Sequence, residues 1–156
     1  MKKKQLKPVV ATMEPLLKNR WAVYVGGKEN NQVDSFMVQS VSPIVYKSKN
    51  SWKSNSEQEW GYEPIVITFL EAFAGENTTS LALFRVLEKY KNKDYSDLLK
   101  ITVVDMDGPG VPLLETTIEA KQFIIQFSSR DYGSDDLMEH KLILFPSTIK
   151  MEVAKK

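Results

Sequence analysis

The chain contains no cysteine and a single histidine, His140. The first absence excludes a disulfide scaffold, a thiolate zinc site and a cysteine nucleophile. The second leaves no imidazole pair for a multi-histidine metal site. An excess of charge of one sign is missing as well: 21 Lys+Arg stand against 20 Asp+Glu, a formal net charge of +1. That balance argues against a bulk electrostatic grip on nucleic acid, while leaving local patches open. Long hydrophobic runs are absent, and no stretch approaches the roughly 20 apolar residues that span a bilayer. Residues 1–18 start positively, but their longest clean apolar run is Val9-Val10-Ala11, with Pro8, Glu14 and Pro15 interrupting the rest. A secretory core of about 7–15 apolar residues is not met, so export by that route is not expected. There is no Gly-rich phosphate loop, no GxSxG elbow and no HExxH, and no constellation that would carry catalysis. A non-enzymatic protein without cofactor or metal is expected.

What is present is enough apolar material for a core: 156 residues, 42% hydrophobic and 10% aromatic, with 26% charged. That length reads as one domain. Arg20 to Val25 is β-branched and aromatic and runs into Gly26-Gly27, a strand followed by a turn. Val33 to Val41 reads as a strand with mixed faces, bent at Pro43 before Ile44-Val45-Tyr46 resumes it. Lys47 to Glu59 is the most polar segment and reads as a long exposed loop with Trp52 isolated inside it. Tyr62 to Leu70 is a strand with Ile65, Ile67 and Phe69 on one side and Tyr62, Val66 and Leu70 on the other.

The one convincing helix opens after Gly75, with Thr78 or Thr79 as its cap and Leu83, Val86, Leu87 and Tyr90 on one face. Leu81 and Phe84 are expected to widen that stripe, and the helix should end by Lys91-Asn92-Lys93. An apolar helix face of this width needs a sheet to cover. Leu99 to Met106 is a strand, Asp107-Gly108-Pro109-Gly110 a turn, and Leu114 to Phe127 a long strand. Its alternation changes phase near Ala120-Lys121, which predicts a bulge or a change of buried face. Met138 to Ile149 is the last strand, broken near Pro146, with His140 expected on the surface or at an interface. The class is α+β and β-rich, an antiparallel sandwich or barrel-like sheet with one inserted helix. Residues 1–18 read as a basic arm, 19–152 as the domain and 153–156 as a tail. The carboxylates Asp131, Asp135 and Asp136 read as solvated turn groups or partners for a neighbour's lysines, with a cation site as the weaker alternative.

The order of segments resembles the tail tube proteins of contractile-tailed bacteriophages over residues 19–152. The resemblance lies in Asn19–Val25, Phe36–Pro43, Trp60–Phe69, the helix segment Leu83–Leu87, and above all in Phe127–Met138. There the motif Asp131-Tyr132, a short polar turn and Asp135-Asp136 lead into the last strand. The lysine-rich arm, Lys141 and the Phe145-Pro146 ending depart from the pattern. They leave a baseplate hub or tube-initiator ring open as alternatives within the family.

The resemblance implies six copies in a ring and rings stacked into a tube within a sheath. Such a tube is a virion tail component assembled in the host cytoplasm, a conduit for DNA and tape-measure protein. It implies long strands contributing to an oligomeric β-barrel, at about residues 33–46, 59–70, 114–127 and 138–149. Its partners would be further copies of itself, the tail sheath protein, the tape-measure protein and baseplate hub proteins, with DNA passing transiently and no membrane insertion of the monomer. The loop carrying Lys47, Lys49, Trp52, Lys53, Glu57 and Glu59 would stack rings. Glu115 and Glu119 are the lumen candidates, because a wall that lets DNA slide should avoid a strong positive field. The other reading of the same residues is a monomeric β-domain that binds a protein or ligand.

Overall fold

Two strands of 15 residues organise the molecule, each well beyond the usual 3–10. The structure is a computed structural model, which describes residues 16–27, 38–48, 61–91 and 98–155. Its strands are β1 (Trp21–Val25), β2 (Val38–Val41), β3 (Tyr46–Lys47), β4 (Gly61–Tyr62), β5 (Ile65–Leu70), β6 (Phe73–Ala74), β7 (Asn77–Thr78), β8 (Leu99–Met106), β9 (Pro112–Gln126) and β10 (Glu139–Val153). One helix, α1 (Thr79–Tyr90), is inserted between β7 and β8. Six strands form one antiparallel sheet in the order β1-β8-β9-β10-β5-β2, nearly closed into a barrel shape. The short pairs β3–β4 and β6–β7 are separate ribbons.

The long hairpin β9–β10 keeps one face on the core along its whole length, and it does so by a matched irregularity. Phe145 pairs with Gln122 and Pro146 with Ala120, so Lys121 is extra on β9; Thr148 then pairs with Glu119, so Ser147 is extra on β10. Lys121 and Gln122 are both exposed, as are Ser147 and Thr148. Thr116, Ile118 and Ala120 therefore face the same core as Phe123 and Ile125, and Leu142 and Leu144 the same core as Ile149. The phase slip in Leu114–Phe127 is a bulge, and the buried face does not change. The apparent break at Pro146 is its counterpart, and β10 runs on to Val153. Beyond it the Ala154 N–H donates to the Leu113 carbonyl (2.9 Å). Bulges bend a strand and increase its twist, which lets a pair this long wrap a core.

The core is the inner face of this sheet closed by α1: Val23, Val25, Ile65, Ile67, Phe69, Leu99, Ile101, Ile118, Leu142 and Leu144 meet Ala82, Leu83 and Val86. The alternation in β5 is as the sequence predicts, with Ile65, Ile67 and Phe69 inward. Glu63-Pro64 separates β4 from β5, dividing the expected Tyr62–Leu70 strand. Thr78 caps α1, its hydroxyl accepting from the Leu81 N–H (3.1 Å). Buried Thr79 donates to the Leu70 carbonyl (2.6 Å) and accepts from the Ala72 N–H (3.0 Å), tying the helix start to the end of β5.

Leu81 and Phe84 do not widen the core stripe; they are 38% and 47% exposed. At 3.6 residues per turn Leu81 sits about 200° round the helix from Leu83, and Thr79 and Ala82 take the inward positions instead. The turn after β1 requires glycine, since Gly26 and Gly27 adopt φ of 98° and 102°.

Asp105, opposite Trp21 and Leu114 in register, is the acidic group that this packing penalises; burial pushes its carboxyl above the ordinary value. A raised folded-state pKa means that ionisation favours the unfolded chain once the pH exceeds the unfolded value, about 3.9. Asp105→Asn should therefore raise the urea midpoint at pH 7, an advantage that vanishes in acid below both values. Ile67→Ala should lower stability by about 2–5 kcal/mol in the same assay, as expected for an emptied core position.

Candidate functional site

The backbone edges of the sheet are its least satisfied feature. β8 pairs with β9 only over Pro112–Ala120, and β5 pairs with β10 only over Glu139–Leu144. The sheet therefore has two halves joined at the bulge. One holds β1, β8, the first part of β9 and the last part of β10; the other holds the remainder of β9 and β10 with β5 and β2. Each half has four strands of alternating direction, so its two outermost strands run oppositely. Among the described residues no strand pairs with the outer side of β2, with Gln122–Gln126 of β9 on the side away from β10, or with Thr148–Val153 of β10 on the side away from β9.

Ser42 shows which groups of β2 point outward. Its N–H donates to the Val66 carbonyl (2.9 Å), and its hydroxyl accepts from the Val66 N–H (2.8 Å). Its neighbour Val41 therefore turns its N–H and carbonyl away from β5, because strand amides alternate in direction. Unpaired edge groups of this kind are templates for another chain.

The face of the hairpin away from the core carries Glu115, Thr117 and Glu119, followed past the bulge by Gln122, Ile124 and Gln126. Both lumen candidates thus lie on this outer face, in the half shared with β8. Glu119 stands between Lys100 and Thr148 in register and accepts a hydrogen bond from the Thr148 hydroxyl (2.9 Å). Glu115 lies between Val104 and Glu152, and Glu152 pairs with Lys150 at 3.7 Å. This outer face is thus mixed in charge, with lysines interleaved among the glutamates.

Of the stacking-loop residues, Lys47 is described: it lies in β3, paired to Glu63 at 3.2 Å and beside the Tyr46–Tyr62 ring contact (5.0 Å). Lys49, Trp52, Lys53, Glu57 and Glu59 lie outside the described residues. The segment that reads as loop from Lys47 thus begins as strand. The motif Asp131, Tyr132, Asp135 and Asp136 lies in the connection between β9 and β10, with every one of these side chains exposed. Asp131 accepts from the Gly133 N–H (2.9 Å), and the Ser134 hydroxyl accepts from the Asp136 N–H (3.1 Å). Tyr132 and Leu137 project fully into solvent. No group of three or more His, Cys, Asp or Glu is placed to hold a metal among the described residues.

His140 departs from its expected surface position: it is 1% exposed on the core face of β10. A lone polar residue between Glu139 and Lys141 reads as surface in a pattern dominated by charge. The inward alternation it shares with Leu142 and Leu144 is the signal that would have placed it correctly. Its Nδ1 accepts from the Ser128 N–H (2.9 Å), and its Nε2 lies 3.6 Å from Glu71 Oε2. Glu71, which no sequence motif singles out, also accepts from the Ser80 N–H at the start of α1 (2.9 Å).

With this geometry in place, similarity to known structures is informative. No family model matches the chain, and no curated protein does. Among solved structures, a chain of the sheath–tube complex of an extracellular contractile injection system, PVC, in its extended state is 17% identical. The match covers 97% of this chain and 100% of that one, with a TM-score of 0.59. A chain from the sheath/tube terminator of the same type of system is also 17% identical, covering 90% and 98%, with a TM-score of 0.58. A chain of the anti-feeding prophage tube-terminating cap is 12% identical over 91% and 93%, at 0.52. The chain thus has the fold of contractile-injection-system tube components, and its resemblance to tail tube proteins holds at the level of fold.

One electrostatic consequence of the site is measurable. Burial raises the Glu71 carboxyl, but hydrogen bonds from Ser80 and the nearby His140 outweigh it and hold the carboxyl below its ordinary value. A depressed folded pKa stabilises the fold above the unfolded value, about pH 4.3, and that contribution is lost as pH falls through the folded one. Glu71→Gln should lower stability at pH 7, and its deficit against the parent should shrink steadily in urea titrations below about pH 4.

Proposed function

We propose that this chain is a structural tube subunit of a contractile injection apparatus. Copies join edge to edge into hexameric rings that stack into the inner tube. The observation that carries this reading is the pair of open edges, β2 and Gln122–Gln126 of β9, in one half of the sheet, combined with the shared fold. Because the outermost strands of a half run oppositely, a copy rotated about an axis parallel to the strands brings its β9 edge (Gln122–Gln126) antiparallel to the β2 edge of its neighbour. The N–H and carbonyl of Val41 then gain partners, and the edge ceases to be a liability.

In this arrangement the outer face of the joined half, with Gln122, Ile124 and Gln126, lines the bore, and Glu115 and Glu119 continue that face of the hairpin beyond the bulge. Lys100 and Lys150 beside them keep the wall near neutral, which suits sliding of DNA and tape-measure protein in a phage tail. A row of lysines alone would retain nucleic acid. The ring-stacking role given to the polar segment carrying Trp52, which lies outside the described residues, rests on its sequence, since an aromatic in a polar setting serves as an anchor. The helix side meets the sheath, and baseplate hub proteins meet the first ring. The work is mechanical, without bond chemistry. A ring at one end of the tube is the second reading, favoured by the near-equal likeness to the sheath–tube and terminator chains, 0.59 and 0.58.

Sizing and negative-stain microscopy of the purified chain test this. Rings or tubes on the order of 10 nm across are expected, roughly three small-domain diameters. Tubes indicate the repeated subunit, single rings the end ring. A species that stays monomeric at high concentration overturns both and leaves the monomeric binding domain. Val41→Pro removes one outward N–H and should abolish rings; because Val41 also packs against the core, the circular dichroism of the monomer is recorded alongside, and loss of rings with retained strand signal is the expected result.

A further inference from the structure

His140 joins three parts of the molecule that are far apart in sequence. It lies on β10 opposite Phe69 of β5, with the Phe127 ring edge-on at 5.7 Å. Its Nδ1 accepts the Ser128 N–H at the start of the β9–β10 connection. A ring nitrogen that accepts a hydrogen bond carries no proton, so this bond assigns the neutral tautomer: the proton sits on Nε2. That Nε2 is buried, has no hydrogen-bond partner and faces Glu71 Oε2 at 3.6 Å.

We infer that His140 is an acid-released latch holding the connection 127–138 against the sheet. A second proton can bind only at Nδ1. It would then point at the Ser128 N–H, donor against donor, and the bond that anchors the start of the connection is lost. The charged group facing the ring from the elements around it is Glu71, between β5 and β6. Phe69 from β5, Phe127 and Ser128 from the connection and Ser80 from α1 carry no charge, and Glu139 and Lys141 are exposed on the opposite face of β10.

The other end of the connection stays tied when the latch opens, because the Glu71 N–H donates to the Met138 carbonyl (3.0 Å) whatever the state of His140. Between the two ties the bonds among the described residues are local: the Ser128 hydroxyl donates to the Ser129 carbonyl, the Gly133 and Ser134 N–H groups donate to Asp131, and the Asp136 N–H donates to the Ser134 hydroxyl. Protonation therefore frees the start of the segment bearing Tyr132 while β5, β9 and β10 stay paired. The inference does not depend on ring assembly.

Amide hydrogen exchange of the full chain by NMR, from about pH 8 to about pH 5, spans the window in which histidine side chains change charge. After correction for the intrinsic pH dependence of exchange, Ser128 should lose at least about tenfold in protection on acidification, while Leu142, Leu144 and Ile67 keep theirs. The 15N shift of Nδ1 should report an unprotonated acceptor at the alkaline end and a protonated nitrogen at the acid end. His140→Asn, which keeps an acceptor oxygen near the Nδ1 position but does not titrate, should hold Ser128 protected throughout. Constant Ser128 protection in the parent, or loss only together with the sheet amides, overturns the latch. So does the same acid loss in a folded His140→Asn. If that variant fails to fold, the parent titration alone decides.

Discussion

A backbone N–H or carbonyl on a strand edge must find a partner or water, and among the described residues the long hairpin leaves such edges within the sheet as well as at its end. The cause is the β9–β10 hairpin. At 15 residues a strand, roughly 50 Å at about 3.3 Å per residue, it is longer than either set of neighbours can cover. β8 and β1 pair with one half, β5 and β2 with the other. The offset creates free edges within the hairpin in addition to the one at the β2 end of the sheet. Everything proposed about assembly follows from that offset. The matched bulges at Lys121 and Ser147 keep one apolar face under α1 while the pair bends.

The elements that the sequence makes legible are those with a clean period. β5 alternates Ile65, Ile67 and Phe69, α1 repeats Leu83 and Val86 behind a threonine cap, and Leu99–Met106 falls at its observed bounds. The slip at Ala120-Lys121 is legible too, because two consecutive outward residues disturb a strict alternation. Its partner on β10 is masked by Pro146, which reads as a break although the strand passes through it. Leu81 and Phe84 mislead because apolar character alone does not say which side of a helix a residue occupies. The candidate site is legible only in part. Glu115 and Glu119 show themselves by alternation, whereas the free edges depend on which strands pair, a long-range property that no local pattern encodes. His140 and Glu71 escape for the same reason: their meeting is tertiary.

The near-equal tally of cations and anions gains meaning once faces are assigned. On the outer face of the hairpin, Lys100 stands across from Glu119, and Lys150 pairs with Glu152, so cancellation occurs locally along the strands. The segment 131–136 is acidic and exposed, while the exposed side of α1 carries Arg85 and Lys89, with Glu88 paired to Lys91 just past the helix at 2.7 Å. In the proposed ring, identical copies would repeat these faces without accumulating large repulsion. Assembly through backbone edges also has a consequence for sequence: hydrogen bonds between main chains tolerate wide divergence of side chains. That fits the sharing of this fold with injection-system chains at 17% identity or less.

The absence of cysteine makes the decisive measurement clean, since every thiol would be introduced deliberately. Pairs combining Gln39→Cys or Ser40→Cys on β2 with Gln122→Cys, Ile124→Cys or Gln126→Cys on β9 can be oxidised and resolved on a non-reducing gel. Edge-to-edge joining predicts that at least one combination yields a ladder of covalent species ending at the hexamer, while each single variant stays monomeric on the gel. Rings visible by microscopy with no ladder from any combination would contradict pairing between these edges.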